Sequence, residues 1–340
     1  MTISPLITSR LPIVAAPMAG GATTVALAIA AAEAGAFPFL AAGYKSAEAI
    51  GAEVELLRAS GHPFGVNLFV PSTEVDAAAF AAYAAELQPE ADVYDLALDP
   101  TPVADDDHWA EKIALLVANP VPVVSLTFGL PPQSDIATLQ GAGSRVLATV
   151  TNVDEAAAAR DAGVDGLIVQ GSAAGGHSAI FEATQNPADG DTAELVHTIR
   201  DAVDLPVIGA GGVGSPDDVQ RILDAGAEAV AVGTLLLLTD EAGTSPTHRA
   251  ALADPAFTDT VITRAFTGRP ARALRSAFVD RHDATAITAY PAVHHLTRVL
   301  RATAGKVGDA ERLHLWAGAG WQSARPGPVA DVIHHLAGED

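Results

Sequence analysis

The feature that most constrains this chain is a unit repeated eight times: a short apolar run, then a glycine-rich turn, then an alanine-rich stretch of helical character. The apolar runs are 13–16 (IVAA), 36–41 (AFPFLA), 64–69 (FGVNLF), 122–126 (PVVSL), 145–150 (RVLATV), 166–170 (GLIVQ), 206–210 (PVIGA) and 228–233 (EAVAVG). Short, bounded and mostly apolar, they read as buried strands alternating with helices, and hence as a parallel sheet wrapped by helices. Helical stretches include 22–34, 46–60, 152–162, 191–203 and 215–225. The last starts with Ser215-Pro216-Asp217-Asp218, an N-cap followed by proline and first-turn acids. The stretch at 152–162 runs into Gly163, a C-cap residue. Eight is the strand count at which such a sheet closes, so the pattern predicts a (β/α)8 TIM barrel in the α/β class. Periodicity does not show closure, and a doubly wound open sheet is the alternative.

Two segments exceed the repeat. Residues 71–119, with the acidic run DPTPVADDD, are too long for one βα unit and predict extra helices. Beyond the eighth strand the chain continues for about a hundred residues, more than one closing helix needs. The expected division is a barrel at 1–239, a mostly helical lid over its mouth at 240–312, and a terminal barrel helix at 313–340.

Composition narrows the function classes. With 49% hydrophobic and 18% charged residues there is material for a large core. The strongest apolar run, 229–239, is about half the length of a bilayer-spanning helix. The N-terminal stretch has no basic start and is broken by Pro5, Pro12, Pro17, Gly20 and Gly21, unlike a secretory leader. A cytoplasmic enzyme with no membrane partner is expected. Without cysteine there is no disulfide and no thiolate metal site. Forty-one acidic against 19 basic residues give a formal charge of −22, which disfavours nucleic acid and anionic membranes. An anionic substrate would need positive potential inside a pocket.

Barrel function sits at the C-terminal strand ends. There the chain carries APMAGGATT (16–24), Asn67, QGSAAGGH (170–177), GAGGVG (209–214) and Gly233-Thr234. Neighbouring glycine clusters expose backbone N–H groups at helix N-termini, a phosphate cradle that needs no side-chain cation. GAGGVG also fits G-x-G-x-x-G, with Glu228 downstream, but alone it is a weak dinucleotide signature and could be a tight turn. The equally glycine-rich neighbouring loops favour phosphate. His177, just beyond a strand end, has the proton affinity for acid–base work at neutral pH, with a solvated loop histidine as the alternative. His294 and His295 are adjacent, so on a helix they diverge, and no metal site is expected there. His334-His335 fits a helix surface. No H-E-x-x-H, P-loop or G-x-S-x-G element occurs.

The segments PIVAAPMAGG (12–21), FGVNLFVP (64–71), QGSAAGGH (170–177), LPVIGAGGV (205–213), VGTLLLLTDEAGTSPTHRAAL (232–252), TGRPAR (267–272) and LHLWAGAG (313–320) occur in this order. The set resembles the nitronate monooxygenases, formerly 2-nitropropane dioxygenases, over nearly the whole chain. The resemblance implies an FMN-containing barrel with a lid that oxidises alkyl nitronates, such as propionate 3-nitronate, with O2 to a carbonyl compound and nitrite. By motif, Ala16, Met18 and Asn67 would lie beside the flavin ring and Gln170 would contact it. Gly175, Gly176, Gly211, Gly212, Gly233 and Thr234 would hold its phosphate, and His177 would be the catalytic histidine.

This chain departs from the family pattern in places that touch substrate preference. Ala173 replaces an acid in Q-G-x-E-A-G-G-H, and Thr127, or no equivalent residue, stands where a histidine is common after the fourth strand. Tyr290, His294 and Arg298 replace a Tyr-x3-Tyr-x3-Lys run of one subgroup, a spacing that predicts one helix face lining the pocket. An FMN-dependent NAD(P)H:quinone or enoyl-thioester reductase is the alternative on the same barrel. A hydrolase or isomerase holding a phosphorylated substrate, and a flavin-binding module without catalysis, complete the alternatives. Oligomeric state and the physiological nitronate are not legible.

Overall fold

The computed structural model describes residues 6–72 and 75–339. Eight parallel strands close into a barrel: β1 (Ile13–Ala15), β2 (Phe37–Ala41), β3 (Gly65–Phe69), β4 (Val123–Thr127), β5 (Arg145–Val150), β6 (Gly166–Gln170), β8 (Val207–Ala210) and β9 (Ala229–Val232). Each falls on one of the predicted apolar runs. Pairing of β9 with β1, in the register Ile13↔Val230, excludes the open sheet.

Strand alternation separates two cores. Val14, Phe37, Phe39, Val123, Leu147, Ile168 and Ile208 point inward and fill the barrel with Leu6 and Ile7. Their neighbours Ile13, Leu40, Val66, Val124, Val146, Leu167 and Val207 pack outward against the helices. This two-sided burial is the physical origin of the continuously apolar runs.

The outer layer is α1 (Val25–Glu33), α2 (Ala47–Ala59), α4 (Trp109–Ala118), α5 (Gln133–Gly141), α6 (Val153–Ala162), α7 (Thr192–Ala202), α8 (Pro216–Asp224) and α12 (Val329–Leu336). Ser215 caps α8 by accepting from the Asp218 N–H, and Gly163 ends α6 at φ +86°, both at the predicted positions. The terminal helix α12 packs on α1 and α8, closing the ring. No helix among the described residues is long and apolar enough to cross a membrane.

The segment following β9 carries α9 (Pro246–Ala253), β10 (Thr260–Thr263), β11 (Ala271–Leu274), α10 (Ala277–His282) and α11 (Ala292–Val307). Here a sheet appears that the sequence did not announce. Strands β10 and β11 pair antiparallel and take β7 (Gly176–His177), from the loop after β6, as their third strand. These strands are too short for their period to register, and β7 joins them across some ninety residues of chain. Helix α3 (Ala77–Asp92), from the long 71–119 segment, joins the same layer. Its Phe80, Tyr83 and Leu87 share a core with Phe266, Phe278, Val293 and Leu300. At its end the buried Glu90 accepts from Arg281 and Arg312 at 2.6 and 2.7 Å, and the two guanidiniums help hold its carboxyl down at about 2.

Candidate active site

A cavity of about 1230 Å³ opens where the strands end, between the barrel and the layer above it. It exceeds the usual volume of a site for one small ligand, roughly 300–1,000 Å³. Ala16, Met18, Asn67, Thr127, Gln170, Gly175, Gly176, His177, Gly211, Gly212, Gly233, Thr234, His294 and Arg298 all line it.

One wall is backbone. Gly211 and Gly212 take φ +106° and +77°, a region closed to side chains at ordinary cost, which lets the turn after β8 face the cavity. At Gly175 a Cβ would stand 2.5 Å from the Gly318 nitrogen, because the segment 316–320 returns from the chain's end and lies against this loop. The Gly318 N–H donates to Thr234 Oγ1 at 2.9 Å and the Ala319 N–H to the Ala173 carbonyl at 2.9 Å. Thr234 thus accepts from the protein and keeps its own hydroxyl proton for a ligand. The N-terminus of α8 is already engaged, since Asp218 Oδ2 accepts from the Gly214 N–H at 2.9 Å. An anion is therefore left the turn at Gly211–Val213 and the Gly233–Thr234 step, which face the cavity, rather than that helix end. A cradle that a side chain would fill, beside a roomy cavity, fits a phosphate-bearing cofactor.

The floor is polar and ordered. Asn67 Nδ2 donates to Ser125 Oγ and Thr127 Oγ1 at 3.0 and 2.8 Å, and Thr127 lies 3.4 Å from Thr149 Oγ1. With its amino group committed, Asn67 keeps its carbonyl oxygen for a donor. Gln170 Nε2 donates to the His177 carbonyl at 3.2 Å, and its Oε1 accepts from the Ala179 N–H at 2.7 Å. It therefore positions the strand that carries His177.

The roof is made of side chains from distant segments. His177 lies in β7, with Phe128, Tyr290 and Trp316 at ring centroid distances of 5.7, 5.5 and 5.3 Å. Its Nε2 is 2.9 Å from Thr267 Oγ1, which lies 3.4 Å from the Arg269 carbonyl. The arrangement that satisfies both has Nε2–H donating to Thr267 and Thr267 donating to the carbonyl, leaving the lone pair on Nδ1. Burial, then Arg269 and Arg301, lower the His177 pKa to about 3, so the imidazole is neutral at physiological pH. Arg269 is only 1% exposed; it donates to the carbonyls of Ser178 and Ile180 and stands 4.1 Å over the Phe128 ring. Phe128 holds this place with φ +82°, a costly backbone for a bulky residue at a strand end. Arg301 is 4% exposed. Among the described residues neither buried guanidinium has a carboxylate within ion-pair distance.

Sequence reasoning misplaces one of the proposed lid residues. Tyr290 precedes α11, whose N-cap is Pro291, so it does not share a helix face with His294 and Arg298. It does not line the cavity; it packs behind His177 and donates from its hydroxyl to Tyr44 at 3.2 Å. His294 is buried and Arg298 exposed, one turn apart on α11. Thr267, Arg269, Arg301, Trp316 and Gly318 were not singled out. The segments TGRPAR and LHLWAGAG contain four of them, but nothing in a sequence says that these fold back over His177.

Comparison with known proteins agrees with this geometry. The sequence pattern of the nitronate monooxygenase family matches residues 4–339. A probable nitronate monooxygenase of Staphylococcus saprophyticus is 34% identical over 323 residues, covering 93% of this chain and 90% of its own. One from Staphylococcus aureus strain Newman is 32% identical, covering 98% and 95%. The chain belongs to the nitronate monooxygenase family. It is thus an oxidoreductase, in a family that is flavin-dependent in general. Among solved structures, a nitroalkane oxidase from Streptomyces ansochromogenes superposes with TM-score 0.93 at 44% identity, covering 97% of this chain and 96% of that one. FabK from Thermotoga maritima superposes with TM-score 0.74 at 25% identity, covering 98% and 94%. Ala173 accepts from the Ala319 N–H beside the glycine turns, and Thr127 at the end of β4 presents a hydroxyl tied to Asn67.

Proposed function

We propose that this chain oxidises nitronates, and nitroalkanes after removal of their α proton, using FMN and O2 and releasing a carbonyl compound and nitrite in the cytoplasm. The observation that carries the reading is Arg301, buried on the cavity wall with no carboxylate within ion-pair distance and close to a neutral histidine. A buried cation without a counter-charge is costly, and an anionic substrate relieves that cost. A nitronate is such an anion, compact and planar enough for a chamber walled by Phe128, His177 and Trp316.

When bound, FMN supplies the electron-accepting ring that no side chain offers. Gly175, Gly176, Gly211, Gly212, Gly233 and Thr234 would hold its phosphate, and Ala16, Met18, Asn67 and Gln170 its ring. His177 does the proton work: Nδ1 accepts the α proton of a neutral nitroalkane while Thr267 fixes the ring at Nε2. With a nitronate already formed, His177 only orients it. Aromatic walls exclude water from the reacting carbon.

The test is an anaerobic mix of the FMN-loaded protein with propionate 3-nitronate and with simple alkyl nitronates, read by the flavin spectrum. Loss of flavin absorbance, then nitrite release on admitting air, is the expected result. An unchanged spectrum with all nitronates, together with bleaching by NAD(P)H, moves the protein to the reductases.

A further inference from the structure

The proposed nitronate chemistry leaves one buried, well-held side chain of the roof without a task. His294 lies in the first turn of α11, 8% exposed, and lines the cavity. Arg301 Nη2 stands 3.2 Å from its Nδ1 and donates to its carbonyl at 3.0 Å. Arg301 is itself fixed, Nε donating to Thr297 Oγ1 at 2.9 Å. The Tyr44 ring stacks on the imidazole at 4.1 Å and an interplanar angle of 2°, and the His295 ring meets it edge-on at 5.3 Å. Tyr44 is held there with φ +67° by a hydrogen bond from its N–H to Asp107 at 2.8 Å.

A guanidinium has five donors and no acceptor. The imidazole nitrogen that faces it must carry the lone pair, so a neutral His294 has its proton on Nε2. The titratable and charged groups that act on the ring are Tyr44, His177, His295, Arg298, Arg301 and His314, none of them a carboxylate. Asp105 and Asp107, which line the same cavity, are taken by His295 and by Lys112 with the Tyr44 N–H. Nothing there favours an imidazolium, which would set an N–H against a guanidinium. Among the described residues Nε2 has no hydrogen-bond partner, and it is not one of the sealed polar atoms, so it is open to the cavity.

We propose that His294, locked by Arg301 as the neutral Nε2–H tautomer, is a substrate-binding donor that holds an oxygen of the nitronate or nitro group. This rests on the nitronate reading. The two histidines divide the work. His177 keeps a lone pair and takes a proton; His294 offers a proton it cannot give up, because what would remain is an imidazolate. It therefore stabilises charge on the oxygen without protonating it, and selects planar oxyanions over uncharged ligands.

Three measurements on the FMN-loaded protein test this. For His294→Leu, kcat/KM with ethyl nitronate should fall about 100-fold with an unchanged flavin spectrum. His294→Gln should recover to within about tenfold of wild type, since the amide offers Arg301 an acceptor and the cavity a donor. Histidine 15N spectra of the wild type should show His294 as the Nε2–H tautomer from about pH 5 to 9, with that proton shifting on addition of nitrate, a planar oxyanion that does not turn over. A Leu variant within threefold of wild type, a Gln variant no better than Leu, an Nδ1–H tautomer, or a silent nitrate titration each overturns the proposal. The spectra need no turnover. A wild type that releases no nitrite from any nitronate sinks the functional reading, while tautomer and nitrate still decide the role of His294.

Discussion

The two sides of the cavity are built on opposite plans. On the cradle side, the turns after β6, β8 and β9 present backbone, and the glycines at 175, 211 and 212 matter because they carry no side chain. On the roof, His177, Arg269, His294 and Arg301 present side chains whose protonation is set by burial and by one another. A backbone site is local, so its geometry travels with a short motif. A side-chain site depends on partners that come from anywhere in the chain. On the proposed reading, holding a cofactor and choosing a substrate fall to two kinds of construction.

The sharpest way to break this division is His177→Asn. Turnover of a neutral nitroalkane should drop on the order of 10²–10⁴-fold while FMN binding, measured by fluorescence titration, stays within a few-fold. A variant that loses FMN as well would show that roof and cradle are one unit. The mirror experiment is Gly175→Ala, whose Cβ would meet the Gly318 nitrogen at 2.5 Å. The Cβ is fixed by its own backbone, and the Gly318 nitrogen and the Ala317 carbonyl carbon that it would meet are backbone atoms that cannot swing away. FMN affinity should therefore fall at least about tenfold, with a stability loss of about 1–3 kcal/mol in denaturant unfolding.

The roof should also show itself in pH. Burial lowers the pKa of His177 to about 3 and of His248 to about 4, and holds His294 and His314 down as well. The unfolded chain binds these protons near pH 6.5 and the folded one does not. Their contribution to stability is therefore complete above about 6.5 and is lost as pH falls toward the folded values. Thermal unfolding should drop by about 5 °C or more between pH 7 and 5. The nitronate kcat/KM should meanwhile show no descending limb at 6.5, since His177 stays neutral there. A limb at 6.5 would mean that His177 is solvated in the working enzyme.

The smallest effect belongs to Asp218→Ala, which removes the carboxylate that accepts from the Gly214 N–H and the Ser215 hydroxyl. It should cost about 1 kcal/mol of stability and leave FMN affinity within about threefold, because that helix end already has its anion. A large loss of FMN would place the phosphate at α8 after all.

The same contrast governs what could be read from residues alone. The eight barrel strands were legible because burial on both faces writes itself into consecutive residues. The glycine clusters were legible because a turn with positive φ needs glycine at that very position, as at Gly211 and Gly212. His177 stood out by its place after a strand end. Its neutral state did not, because desolvation by Phe128, Tyr290 and Trp316 has no trace in the motif. Thr267 and Arg269 lie about ninety residues away and reach His177 only through the pairing of β7 with β11. The 290–294–298 spacing misled at its first member, since a period of four describes a helix only once the helix has begun, and α11 begins after Pro291.

By itself, then, the sequence determined the barrel and the glycine turns at its C-terminal strand ends, both of which follow from contacts between near neighbours and from the period of burial. The tertiary structure alone decided the sheet that carries His177, the return of residues 316–320 onto the cradle and the tautomer of His294. Each of these depends on groups remote in the chain, and the free energy that fixes them exists only once the layer over the barrel mouth is packed.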